Sequence, residues 1–130
     1  MALLQGSTFV NQSSPILKSH LWVIISDTSL STDKVVIANV TTWRDIAIHL
    51  NDESCIINKG EHGFIEHKSY VNYKETVIVS VDQLQKLEHL LKFYEACNPE
   101  LLEKILLGAT ISMHTPNEAI AILQAQEIID

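Results

Sequence analysis

The stretch LWVIISDTSLSTDKVVIANV, residues 21–40, decides how this chain folds. Residues 21–26 (LWVIIS) are a continuous apolar run with β-branched members. A strand with one wet face alternates; unbroken apolarity marks a strand covered on both faces. Residues 27–33 (DTSLSTD) hold only Ser, Thr and Asp around one leucine, the composition of a polar loop. Residues 34–40 (KVVIANV) repeat the first pattern. Two buried strands joined by a polar loop predict an antiparallel hairpin.

Working outward, short strand signals recur at residues 54–58 (SCIIN), 64–66 (FIE) and 76–81 (TVIVSV), and residues 8–10 add an edge strand. Lys59-Gly60 supplies a turn, and residues 42–51 hold one helical turn or a loop. Short strands with no helical pattern between them predict a small antiparallel β-barrel or a strongly bent sheet over residues 1–80.

The mode changes at Ser80. Ser80-x-x-Gln83 is a capping box, in which hydroxyl and glutamine each satisfy a free N–H of the first turn. Val81, Leu84, Leu87, Leu91 and Tyr94 recur at three- and four-residue steps, which predicts an amphipathic helix as far as Tyr94. Asn98-Pro99 starts a second helix with Leu101, Leu102, Ile105 and Leu106 on its apolar face, ended by Gly108. Thr115-Pro116-Asn117-Glu118 reads as cap, proline and capping-box glutamate of a third. The expectation is one α+β domain over residues 1–130, with a β part at 1–80 and two or three packed helices at 81–130.

The 130 residues are 46% hydrophobic, enough for a sizeable core. The net charge is −7. Residues 1–80 carry six basic and eight acidic side chains, and residues 81–130 three and eight, so the acidity lies mostly in the second part. Neither part is a basic nucleic-acid platform of the ordinary kind, and no DNA partner is expected. The longest apolar run, residues 21–25, is five residues against the roughly 20 needed to span a bilayer. The N-terminus lacks the positive region of a signal peptide. No membrane partner and a cytoplasmic location are therefore expected. Cys55 and Cys97 stand far apart with no CxxC and read as buried free thiols. His62, His67 and Cys55 match no strong zinc spacing, and no phosphate loop, GxGxxG or GxSxG is present, so neither metal nor cofactor is expected.

Polar chemistry concentrates in GEHGFIEHKSYVNYKE, residues 60–75, with two histidines, two lysines, a serine and two tyrosines. Together with HLWVIIS at residues 20–26 and VIANVTT at 36–42, its EHKSYV segment resembles, in order and spacing, the MazF/PemK family of toxin endoribonucleases. The resemblance covers about residues 6–95. It implies an SH3-like barrel, cleavage of single-stranded RNA without metal, and restraint by an antitoxin-like protein; a homodimer is a separate expectation, from the apolar helices after Ser80. It also implies that His20, Thr41 and Lys68 approach one another. His20 and Lys68 stand where the family carries arginines, and the helices after Asn98 have no counterpart in its short toxins.

Metal-free RNA cleavage needs a base for the ribose 2′-OH, an acid for the leaving 5′-oxygen, and a cation for the phosphorane charge. His20, His62 and His67 ordinarily titrate near neutrality. Lys68 supplies a point charge, and Thr41 and Ser69 supply hydroxyls. The catalytic candidates are His20, Thr41, His62, Lys68 and Ser69. Trp22, Thr42, Tyr70 and Tyr73 are candidates for binding RNA, the aromatics by stacking a base. Each also has an ordinary structural role open to it: a strand-end hydroxyl, a solvated lysine, a core aromatic. The alternative function is accordingly a non-catalytic binding module of the same fold, or a structural protein whose late apolar helices form an interface.

Overall fold

The hairpin at residues 21–40 is the spine of the structure, a computed structural model that describes residues 3–11 and 20–130. Its arms are β2 (Leu21–Ile24) and β3 (Val35–Thr42), paired antiparallel with Leu21 opposite Val40 and Ile24 opposite Ile37. The outer edge of β2 takes β1 (Thr8–Asn11). Eight residues make β3 long enough to serve two partners on its other edge: β5 (Ser69–Val71) at Val40–Thr42 and β6 (Val77–Val79) at Val35–Ile37. The two-residue β4 (Ile56–Ile57) adds to β5, and β7 (Leu91–Tyr94) adds to β1. The result is a seven-stranded antiparallel sheet in the order β4-β5-β3-β2-β1-β7, with β6 beside β3. Among the described residues no pairing joins β4 to β7, so the predicted barrel is realised as an open sheet.

Both faces of this sheet are covered, which is why the central strands read as unbroken apolar runs. On one face Leu21, Val23, Val36, Ala38, Val40 and Val71 pack against Leu101, Ile105, Ala109, Ala119 and Leu123. The last five belong to helices α2 (Pro99–Ile111) and α3 (Asn117–Ala125). On the other, Phe9, Trp22, Ile24, Val35 and Ile37 pack against Val79, Leu91 and Leu84 of α1 (Val81–Leu87). The architecture is α+β.

Five sequence expectations are corrected by this arrangement. The helix predicted as far as Tyr94 stops at Leu87; after a single 3-10 turn the chain becomes β7. Leu91 and Tyr94 fit a helical repeat, but β1 offers an open edge, and a ladder of backbone bonds outweighs a periodicity that short. That pairing also makes β1 an interior strand and carries the sheet past residue 80. Residues 64–66 form no strand; the third segment contributes β5 instead. Gly108 does not end α2, which runs on to Ile111. A Cβ at Gly108 would meet the Tyr73 hydroxyl, Cys55 Cβ at 2.8 Å and the Ser54 carbonyl oxygen at 3.0 Å, so glycine there lets the helix lie against the sheet. Thr115 does not cap α3; its hydroxyl donates to the Ala109 carbonyl at 2.9 Å and ties the α2–α3 turn.

The other caps form as read. Gln83 N–H donates to Ser80 Oγ and the Gln83 side chain accepts from Ser80 N–H, each at 3.0 Å. Asn98 Oδ1 accepts from Leu101 N–H at 2.8 Å, with Pro99 at the first helical position.

Candidate functional site

Strand register sorts the candidate residues onto faces. Successive side chains of a strand alternate, and residues directly opposite in a ladder share a face. Asn39 lies opposite Trp22, and Thr41 opposite Tyr70. Trp22, Asn39, Thr41 and Tyr70 therefore occupy one face. Continuing the β2–β3 register by one residue sets half-buried His20 across from Thr41 on this same face. Continuing the β3–β5 register sets Lys68 across from Trp43, where the Trp43 N–H donates to the Lys68 carbonyl at 2.9 Å. The Lys68 ammonium lies 4.0 Å from the centre of the Trp43 ring, and Trp43 meets Tyr70 edge-on at 6.1 Å. Three separate segments thus deliver His20, Thr41 and Lys68 to one side of the sheet.

The interior of this face is tightly built. Trp22 and Tyr70 are fully buried and Thr41 is nearly so. The Thr41 hydroxyl donates to Asn39 Oδ1 at 2.7 Å. The Asn39 Nδ2 and Tyr70 hydroxyl have no hydrogen-bond partner among the described residues, although both are buried. An unsatisfied buried polar group costs about 1–3 kcal/mol. At its rim a depression of about 480 Å³ is lined by Thr42, Trp43, Asp45, Glu66, His67 and Lys68.

Other candidates lie elsewhere. Thr42 and Ser69 are opposite each other on the far face of the β3–β5 ladder, and the Ser69 hydroxyl donates to the His67 carbonyl at 2.9 Å. His62 is buried at the β1–β7 end of that far face. Its Nδ1 accepts from the Phe64 N–H at 3.0 Å, so Nε2 carries the proton and donates to the Glu95 carbonyl at 2.7 Å. Thr8 Oγ1 stands 3.2 Å from the same nitrogen and donates its own proton to that carbonyl. Both ring nitrogens are spent on bracing the 60–65 loop. Tyr73 is fully buried between sheet and α2, where its hydroxyl donates to the Ile105 carbonyl at 2.5 Å. Desolvation, then the neighbouring Cys55, pushes its pKa upward. Burial likewise pushes the Cys55 thiol up to about 11 and Cys97 to about 12.

Sequence reasoning missed Trp43 and Asn39. Both follow from Thr41 by strand alternation, two residues to either side, once β3 is known to extend to Thr42.

The chain is similar in structure to an endoribonuclease solved in complex with its cognate antitoxin from a mycobacterial species. The TM-score is 0.56 at 19% identity, over 88% of this chain and 98% of that one. The likeness to that endoribonuclease is one of fold. No family model matches the chain, and no curated protein matches it in sequence.

Proposed function

We propose that the protein is a toxin-type endoribonuclease that cleaves single-stranded RNA without metal and is held in check by an antitoxin-like protein in the cytoplasm. What supports the reading is that strand register, continued one residue beyond β2 and β5, sets His20 and Lys68 on the same face as Thr41 of β3, in a fold similar to an endoribonuclease solved with its antitoxin. In the reaction, neutral His20 takes the proton of the ribose 2′-OH, and the 2′-oxygen attacks the adjacent phosphorus. The bond to the 5′-oxygen breaks, and that oxygen takes a proton from His67, which borders the same depression as Lys68. The products are a 2′,3′-cyclic phosphate and a free 5′-OH. Lys68 and Thr41 face the charge that develops on the non-bridging oxygens of the phosphorane; a general base such as His20 contributes about 10²–10⁴-fold in rate. Exposed Leu107, Ile111 and Met113 on and after α2, with Ile46, Ile48 and Leu50, offer apolar surface to a protein partner, whether an antitoxin or a second copy.

The test is cleavage of an unstructured RNA in excess EDTA by the wild type and by a His20→Ala, Lys68→Ala double variant. The expected result is cyclic-phosphate ends from the wild type and at least a 10²-fold loss in the variant. Equal cleavage by both would remove the site. One observation favours a binding module instead: the Thr41 proton is already given to Asn39, and Lys68 already lies over Trp43. A wild type that binds RNA, leaves it intact and does not arrest growth on expression would decide for that reading.

A further inference from the structure

A second aromatic and cationic cluster lies just across the end of β3 from the first. Phe64, exposed on the 60–65 loop, meets Tyr94 of β7 with ring centres 5.0 Å apart and planes at 60°. The Lys92 ammonium stands 5.2 Å from the Tyr94 ring centre. With Thr42, Glu66, His67 and Ser69 these rings line a depression of about 420 Å³, within the range of small-ligand sites. It shares Thr42, Glu66 and His67 with the depression at Trp43 and Lys68. The two sites are therefore neighbours across one strand end, each with an aromatic ring and a lysine.

The loop that carries Phe64 is fixed before any ligand arrives. His62 holds it to the Glu95 carbonyl and to Phe64 N–H, and Gly63 N–H donates to Glu95 Oε1 at 3.0 Å. Buried Ile65 anchors its far side, its N–H donating to the His62 carbonyl at 3.0 Å. Preorganised rings lose little entropy on binding. The depression presents two aromatic rings and the Thr42 and Ser69 positions, a lining that suits the uncharged part of a nucleotide. Lys92, outside the lining, is placed to meet the backbone.

We propose that Phe64 and Tyr94 form a stacking subsite for one unpaired nucleobase, with Lys92 contacting its phosphate, so that a single strand runs from this subsite over Thr42 to the cleavage face. This rests on the reading of the protein as an RNA-cleaving enzyme and adds to it where the neighbouring nucleotide goes. Stacking on an aromatic side chain is sequence-tolerant and is worth about five- to 150-fold in affinity per base.

The test uses a fluorescein-labelled, 2′-O-methyl octanucleotide of mixed sequence, which cannot be cleaved, and fluorescence anisotropy. Phe64→Ala should weaken binding at least about fivefold and Phe64→Trp should restore it. Lys92→Ala should reduce the slope of log affinity against log salt by about 0.7. Phe64 is 37% exposed and its ring packs on Tyr94, so Phe64→Ala should lower the melting temperature modestly while leaving the protein folded at the assay temperature, and Phe64→Trp should recover it; in a cleavage assay Phe64→Ala should raise KM more than it lowers kcat. Wild-type protein that binds and cleaves RNA while Phe64→Ala and Lys92→Ala bind as it does would overturn the subsite alone. Wild-type protein that neither binds nor cleaves would overturn the enzymatic reading and the subsite with it.

Discussion

Replacing Gly108 by alanine tests the packing that seats α2 on the sheet. In an exposed helix interior this change stabilises by about 1 kcal/mol, because alanine has the better helix propensity. Here the new methyl has no room. It meets the Tyr73 hydroxyl, Cys55 Cβ at 2.8 Å and a backbone oxygen, Ser54 O, at 3.0 Å. Tyr73 and Cys55 are buried, so neither can swing aside cheaply. Overpacking of this kind costs about 1–3 kcal/mol. Displacing the Tyr73 hydroxyl from Ile105 costs about another 1 kcal/mol. The balance is a net loss of roughly 2 kcal/mol. For a chain of this size that lowers Tm by about 6–12 °C, at some 3–6 °C per kcal/mol. Urea unfolding followed by circular dichroism measures it. The double variant with Tyr73→Phe removes one of the colliding atoms. It should lose less than the two single losses combined, by about 0.5 kcal/mol or more. A Gly108→Ala protein as stable as the wild type, with additive behaviour in the double variant, would refute the close seating of α2.

Further outcomes follow from the same contacts. Ser80→Ala removes one half of the capping box at α1 and should cost about 1 kcal/mol, as should Asn98→Ala at α2, by urea midpoint. Because burial raises the Cys55 and Cys97 thiols from 9.0 to about 11 and 12, the folded chain keeps protons that the unfolded chain releases. Stability from these groups is complete below about pH 9 and falls as pH rises toward 11, by up to about 1.4 kcal/mol per thiol per pH unit. A Cys55→Ala, Cys97→Ala protein should show a smaller drop between pH 7 and pH 10; an identical drop would place the effect on other groups. Trp22→Ala, at a site 1% exposed in the core beside Asn39, should cost about 3–5 kcal/mol, read as a fall in the urea midpoint.

The β2–β3 hairpin, the Ser80 and Asn98 caps and the α+β class were legible because each rests on contacts within a few residues, or on a pattern of burial that composition records directly. The double-sided apolarity of residues 21–25 and 35–38 announced a central sheet covered on both faces before any partner was known. What the candidate site needed was different. Thr41 and Ser69 have similar side chains and both sit at strand ends, yet they face opposite sides of the sheet, because register places Thr41 against Tyr70 and Ser69 against Thr42. A one-residue change of register would exchange them, and nothing in the local sequence fixes that choice. His62 was chemically as suitable as His20; its separation from the face that holds Thr41 comes from β7 docking on β1, which brings the Glu95 carbonyl within 2.7 Å of its ring. Tyr73 became a core residue only when Gly108 let α2 approach. The sequence by itself determined which segments are buried, where helices begin and which residue types are available for chemistry. Tertiary structure alone decided which of them meet, because ladder register and the docking of β7 are set by contacts between residues far apart in the chain.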